Sequence, residues 1–166
     1  TFGGLFATGG DAAELTEAAE ADPQSLVRVL DAHQGLLLIK GMGRITEEPE
    51  LLLRLSRLFG TEVESYHETR MARQNVHLEI PEIFMVSNIP PADKVPPPQP
   101  EPPLNADGSL PTRFPHRRGW HTDQSYRRPP PDVSLFYCVV AAPRGQAQTL
   151  YADGIGAYEA LSADMK

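Results

Sequence analysis

A histidine and an aspartate two residues apart are the side chains of this sequence best suited to chemistry. His121 and Asp123 stand in the segment Trp120-His121-Thr122-Asp123. On an extended segment, side chains two positions apart point to the same side, so the imidazole and the carboxylate converge. Such a pair supplies two ligands of the facial triad for non-haem iron(II), which leaves metal positions open for oxygen and a cosubstrate. The alternative is a histidine that is simply hydrogen-bonded to its neighbour.

The composition excludes several classes of protein. Of the 166 residues, 40% are hydrophobic, and 22 acidic against 15 basic side chains give a net charge of −7. This charge disfavours a nucleic acid or an anionic membrane surface as the main partner. The single cysteine, Cys138, excludes an internal disulfide, and the longest apolar run, 135–142, falls far short of the roughly 18 residues that span a bilayer. We therefore expect a soluble, cytoplasmic and acidic globular protein.

Hydrophobic spacing predicts the elements that must position the histidine and the aspartate. Helix signals, including Asp22-Pro23 as the start of a helix and Asp153 as an N-cap, predict helices at 11–34, 46–59 and from 154 onward. Dense aliphatic, β-branched or aromatic runs predict short strands at 36–39, 82–86, 133–140 and 148–152. Helices first and strands later indicate an α+β or a helix-decorated all-β fold.

A proline-rich stretch separates the two halves of the chain. Eight of the fourteen residues from Pro90 to Pro103 are proline, which excludes a helix or a central strand. We expect a surface loop over 90–113 that acts as a lid near the site. The alternative is that the loop binds an SH3-like groove of a partner.

The segments that surround His121 resemble a known family. Four of them follow the order and spacing of the taurine dioxygenase-like family: Trp120-His121-Thr122-Asp123, Pro129-Pro130-Pro131, Thr149-Leu150-Tyr151-Ala152-Asp153 and Ala157-Tyr158-Glu159-Ala160-Leu161-Ser162. The resemblance implies a mostly β fold with flanking helices around a double-stranded β-helix, or jelly-roll, core. It also implies a dioxygenase that uses Fe(II), 2-oxoglutarate and O2 to hydroxylate a C–H bond, with release of succinate and CO2.

The resemblance assigns roles to three residues of this sequence. His121 and Asp123 match the iron ligands, and Thr149 matches the threonine that contacts the 2-oxoglutarate carboxylate. No catalytic residue is expected beyond this metal centre. The family has a Gly-Gly-Asp before the threonine, where this chain has Gln146-Ala147-Gln148. The family also has a distal histidine ligand and a 2-oxoglutarate-binding arginine, which have no counterpart here, so we expect residues 1–166 to be the N-terminal part of one domain with an incomplete jelly roll.

The substrate is less well indicated by the sequence. The polar positions that recognise sulfonate in taurine-specific members are not evident after Gly60, which disfavours taurine. Arginines flank the segment Trp120-His121-Thr122-Asp123, named the metal motif here for its predicted role. They are suited to pair with an anionic group, although the favoured interpretation of each is a solvated residue that offsets the acidic surface. The candidate substrate residues are Arg117, Arg127, Tyr66 and Asn88.

Two other classes of function remain open at this point. One is a non-catalytic interaction module that displays the proline-rich loop. The other is a zinc hydrolase, in which a histidine and an aspartate would again be metal ligands. Other histidines that would replace the missing ligand are better explained as a helix-end residue, His33, and loop residues, His67, His77 and His116. Homo-oligomerisation also stays open.

Overall fold

The regular elements lie mostly in the N-terminal third of the chain. The computed structural model describes residues 2–7, 9–66, 75–86, 104–108, 120–125, 127–143 and 149–166. The elements are β1 (Gly4–Ala7), α1 (Ala12–Ala21), α2 (Ser25–Ala32), β2 (Leu37–Lys40), α3 (Glu50–Arg57) and α4 (Gly154–Glu159), with 3-10 turns at Gly43–Thr46 and Ala163–Met165. In these ranges no helix has the length and apolar character that a membrane span requires.

Strands β1 and β2 form a parallel two-stranded sheet. Gly4 pairs with Leu37 and Ala7 pairs with Lys40, and the helices α1 and α2 make the connection between the strands. Strand β2 confirms the predicted strand at 36–39 with a shift of one residue. Strand β1 was not predicted. A Cβ at position 4 would overlap the ring of His33, so a larger residue there would require that ring to move.

The predicted helix at 11–34 is two helices. Asp11 begins α1, where its carboxylate accepts hydrogen bonds from the backbone N–H groups of Ala13 at 2.8 Å and Glu14 at 3.1 Å. The chain then turns at Asp22 and Pro23, and Gln24 is the N-cap of α2. The predicted helix start at Asp22-Pro23 is therefore wrong: Asp22 is the C-cap of α1, as its N–H bonds to the Ala18 carbonyl.

A small core joins α1 and α3. Six buried apolar residues form it, namely Ala12, Ala19, Leu26, Ile45, Leu51 and Leu55. Arg54 of α3 binds Glu20 of α1 through two nitrogens, at 2.8 and 2.6 Å, and so links the helices at their edge. Helix α3 begins at Glu50 and not near residue 46 as predicted, because Gly43–Thr46 forms a 3-10 turn and Pro49 is the N-cap.

Residues 133–138 lie along this helical layer with a strand-like alternation. Positions 133, 135 and 137 are half-buried and positions 134, 136 and 138 are exposed. Leu135 and Tyr137 pack against the core. Although the period of two is that of a strand, the segment belongs to no sheet in the described part of the chain.

The predicted mostly β core is not formed by the described residues. Their only sheet has two strands, beside four α-helices. The predicted strand at 82–86 is reduced to one antiparallel bridge between Phe84 and Val76, and residues 149–152 are irregular. The physical reason is that a strand exists only when its backbone pairs with another strand. Of the predicted surface loop only 104–108 lies within the described residues, and all five of these are exposed.

Candidate functional site

His121 and Asp123 meet in the C-terminal third of the chain. The Nε2 atom of His121 lies 3.1 Å from Oδ1 of Asp123, and both side chains are more than half exposed. The pair is therefore accessible from solvent. The geometry has the convergence that the period-two spacing predicts, while the role of the two residues as metal ligands stays a prediction.

The distance between these two atoms fits a shared metal. Two donor atoms at about 2.1 Å from one metal and at a right angle lie about 3.0 Å apart. The observed 3.1 Å is close to this separation, and it is also the length of the direct hydrogen bond between the two side chains that the alternative interpretation expects. The two residue types match the ligands of a facial iron site. Within the described ranges no group of three histidine, cysteine, aspartate or glutamate side chains forms a complete cluster.

A tight turn follows Asp123. Gln124 has φ of 52°, in the left-handed region that non-glycine residues rarely adopt. The Arg127 N–H donates to the Gln124 carbonyl at 2.9 Å, and the Arg128 guanidinium donates to the Ser125 carbonyl at 2.9 Å. The orientation of Asp123 therefore depends on a turn that is held by hydrogen bonds but contains one unfavourable residue.

Two residues of a distant segment contact this turn. The Tyr66 hydroxyl accepts a hydrogen bond from Gln124 Nε2 at 3.4 Å, and Glu64 Oε1 lies 2.7 Å from Arg127 Nη1. Tyr66 also packs against Phe84, with ring centroids 5.3 Å apart. Tyr66, predicted as a substrate residue, thus lies beside the metal motif.

Sequence reasoning missed Glu64 and Gln124. A signal was present, because Glu64 and Tyr66 stand two positions apart, as His121 and Asp123 do. On an extended segment that spacing places both side chains on one side. Their partners, Gln124 for Tyr66 and Arg127 for Glu64, lie 58 and 63 positions away in sequence. They leave no local pattern, so the pairing itself is visible only in the structure.

The segment after Thr149 lies beside the metal motif. A cavity of about 370 Å³ is lined by residues of the ranges 120–122 and 150–152. Thr149, the predicted 2-oxoglutarate ligand, directly precedes this lining and is exposed. The cavity has aromatic and aliphatic walls from Trp120, Tyr151 and Leu150, and the imidazole of His121 also lines it.

Asp153 fixes the end of this segment. Its side chain accepts a hydrogen bond from the Gly156 N–H at 2.9 Å and caps α4, which confirms the predicted helix start. The cap holds the chain where the irregular residues 149–152 end.

The remaining candidates are not brought to the site by the described residues. His33 packs against Gly4 of β1, and His77 accepts hydrogen bonds at Nδ1 from the backbone of Glu79 and Ile80 at 3.3 and 3.2 Å. These two histidines thus have structural contacts elsewhere. Five candidates and one motif stretch lie outside the described residues: Arg117, Arg118, Asn88, His67, His116 and the stretch 146–148.

Comparison with known proteins decides the family. The sequence model of the family described as "Taurine catabolism dioxygenase TauD, TfdA family" matches residues 3–166. The chain belongs to this family. The sequence motifs predicted a TauD/TfdA-type protein, and the family match confirms this prediction.

One relative of this TauD/TfdA protein is a Saccharomyces cerevisiae protein named alpha-ketoglutarate-dependent sulfonate dioxygenase. It is 29% identical over 153 residues, which are 92% of this chain and 32% of the yeast protein. The chain thus spans about a third of the length of this relative. No solved structure matches the chain.

Proposed function

We propose that the protein is an Fe(II)- and 2-oxoglutarate-dependent dioxygenase that hydroxylates a C–H bond of a small organic substrate. The observation that carries this proposal is the 3.1 Å approach of His121 Nε2 to Asp123 Oδ1 in a member of the TauD/TfdA family. The two atoms have the spacing and the chemistry for adjacent positions of one iron. Iron(II) with 2-oxoglutarate and O2 supplies, when bound, the oxidation of the substrate, with release of succinate and CO2.

In this proposal the residues of the chain bind and orient the reactants. His121 binds iron as the neutral imidazole and Asp123 binds it as the carboxylate. Thr149 donates its hydroxyl to a carboxylate oxygen of 2-oxoglutarate, which the position of the neighbouring residues 150–152 beside His121 supports. Trp120, Leu150 and Tyr151 give an exposed apolar surface against which the substrate is oriented.

We further propose that residues 1–166 are the N-terminal part of one jelly-roll domain. The 32% coverage of the yeast relative supports this, as does the strand-like alternation of residues 133–138 without a pairing partner in the described part of the chain. The third iron ligand and the arginine for 2-oxoglutarate would then come from other parts of the domain.

The proposed substrate is a small organic anion. The relative is named for sulfonates, which are anions, and arginines flank the metal motif. Arg127 is paired with Glu64, so its charge is already compensated within the chain. Arg117 and Arg118 are therefore the better candidates to bind the anionic group.

The test measures iron binding and turnover together. We would prepare the 166-residue chain and the longest natural protein that contains it, each as wild type, His121→Ala and the control His77→Ala. Fe(II) binding is measured by anaerobic equilibrium dialysis, and succinate formation from 2-oxoglutarate is measured under air with a panel of organic anions. In the longer protein, we expect His121→Ala to abolish Fe(II) binding and succinate formation. The control His77→Ala should retain Fe(II) binding and succinate formation. Wild-type protein that binds no more iron than His121→Ala would contradict the proposal.

A further inference from the structure

The ion pair between Arg127 and Glu64, next to the metal motif, is the least exposed ion pair in the described part of the chain. The side chains of Arg127 and Glu64 are 29% and 35% exposed, compared with 34% and 39% for Arg54 and Glu20. The Nε atom of Arg127 is buried and has no hydrogen-bond partner. The Arg127 guanidinium therefore depends on Glu64 to compensate its charge, because a partly buried charge without a counter-ion is unfavourable.

The pair is connected to Asp123 through the turn. Arg127 closes the turn with its N–H on the Gln124 carbonyl, and Gln124 directly follows Asp123. The left-handed φ of Gln124 is unfavourable for a residue with a side chain, so contacts from outside must hold it. Two such contacts come from one short segment, Glu64 on Arg127 and Tyr66 on Gln124.

The two contacts hold opposite ends of the turn against the same segment. If either end were released, Gln124 would relax toward an ordinary backbone conformation and rotate the preceding peptide. Asp123 would then lose the orientation in which its Oδ1 lies 3.1 Å from His121 Nε2. Supporting contacts that orient metal ligands typically change metal affinity about 10- to 100-fold when they are removed.

We infer that Arg127 and Glu64 are positioning residues that hold Asp123 in the geometry required for metal binding. This inference rests on the proposed function, and it replaces the expected role of Arg127 as a substrate ligand. The Glu64–Arg127 pair acts through the turn and not on the metal. Its effect should therefore appear in metal affinity and in the local order of the metal motif, beyond its effect on overall stability.

The test compares two ion pairs of similar exposure. Arg127→Gln removes the pair behind the metal motif, and the control Arg54→Gln removes the pair with Glu20, which links two helices. The charge reversal Glu64→Arg/Arg127→Glu restores an ion pair with its residues exchanged. Each protein is titrated with Co(II) as the probe metal, and the fluorescence anisotropy of Trp120 is recorded without metal. The test uses the 166-residue chain, in which Trp120 is the single tryptophan and adjoins His121, so it reports the order of the motif.

We expect Arg127→Gln to weaken Co(II) binding about tenfold or more and to lower the anisotropy of Trp120. The charge reversal should recover most of the Co(II) affinity and most of the Trp120 anisotropy. Arg54→Gln should change neither the affinity nor the anisotropy. Should Arg127→Gln fail to fold, Glu64→Gln replaces it with the same expectation, because it breaks the same ion pair, and Arg127→Lys serves as the conservative control. That variant keeps a cation that can reach Glu64 and should lie within about threefold of wild type, because the ion pair described here uses a single nitrogen.

Two outcomes separate this inference from the proposed function. If His121→Ala loses Co(II) while Arg127→Gln binds it like wild type with unchanged anisotropy, the positioning role is wrong and the iron site stands. If wild type and His121→Ala bind Co(II) equally poorly, the proposed function fails. The anisotropy then decides alone whether Arg127 orders the motif, and an unchanged value overturns the inference.

Discussion

The Tyr137 hydroxyl lies 2.6 Å from the Thr46 hydroxyl and also donates to the Gly43 carbonyl at 3.1 Å. These bonds join residues 133–138 to the turn that precedes α3, across 91 positions of the sequence. They are direct links between the second half of the chain and the helical layer.

Replacing Tyr137 with Phe should therefore loosen this connection. We expect a loss of about 1 kcal/mol in the free energy of unfolding, since the ring still packs while the hydrogen bonds disappear. Urea denaturation followed by circular dichroism measures the change. The control Tyr158→Phe removes a hydroxyl from a ring that is 57% exposed and should leave the midpoint unchanged. Equal midpoints for all three proteins would show that the contact does not stabilise the fold.

Gln124 offers an unusual comparison of glycine with alanine. Both substitutions remove the contact with Tyr66, but only glycine adopts a φ of 52° without strain. We expect Gln124→Gly to be more stable than Gln124→Ala by about 1 kcal/mol, the reverse of the order in an ordinary helix or strand. Thermal unfolding of the two variants gives the answer. Alanine equal to or better than glycine would show that the turn does not adopt this conformation in solution.

Acid should weaken the N-terminal layer. The pKa of Asp11 is lowered from its ordinary value of 3.8 by the Glu14 N–H and by Arg44, and that of Glu20 is lowered from 4.5 by Arg54. When the pKa of a carboxyl is lower in the folded than in the unfolded state, the carboxyl stabilises the fold at any pH above its pKa in the unfolded state. This contribution is lost as the pH falls from the ordinary values toward the folded ones. We therefore expect the urea midpoint to fall as the pH is lowered below about 5.

Asp11→Asn separates charge from capping in this response. Asparagine caps a helix about as well as aspartate but has no charge to titrate. We expect this variant to have a smaller drop in midpoint on acidification than wild type, whereas Asp11→Ala should also lose stability at neutral pH. An identical pH response in wild type and Asp11→Asn would exclude Asp11 as a source of the acid sensitivity.

Thr149 should govern the affinity for 2-oxoglutarate and leave metal binding intact. Thr149→Val keeps the shape of the side chain but removes the hydroxyl, and Thr149→Ser keeps the hydroxyl. A hydrogen bond to a charged group contributes about 1.5–3 kcal/mol, so Thr149→Val should raise the KM for 2-oxoglutarate about tenfold or more. The assay is succinate formation by the longest natural protein, with Fe(II) dialysis as the control. A KM for the valine variant that equals that of serine would remove Thr149 from the site.

Local signals in the sequence predicted the parts of the structure that depend on neighbouring residues. The Asp153 cap of α4 and the strand at 37–40 each follow from a few adjacent side chains. Strand β1 escaped prediction because four residues, with Gly4 among them, are too short to have a periodic pattern, and its partner is a strand 33 positions away.

The contacts around the metal motif also depend on distant segments, which local sequence signals do not specify. The spacing of His121 and Asp123 was enough to predict that their side chains converge. The choice of Glu64 as the partner of Arg127 depends on where two distant segments meet. The pattern at 133–140 is typical of a strand, yet hydrogen bonding between strands requires a partner that the local sequence does not specify.

The six residues of the core all come from the first 55 positions of the chain. During synthesis, therefore, the helical layer has all of its core side chains before Trp120 is added. Ribosomes add about 5–20 residues per second, whereas helices form within about a microsecond. The N-terminal layer thus has several seconds in which to fold first. The later segments then assemble on a surface that is already in place, and Tyr137 attaches them to it through Thr46 and Gly43.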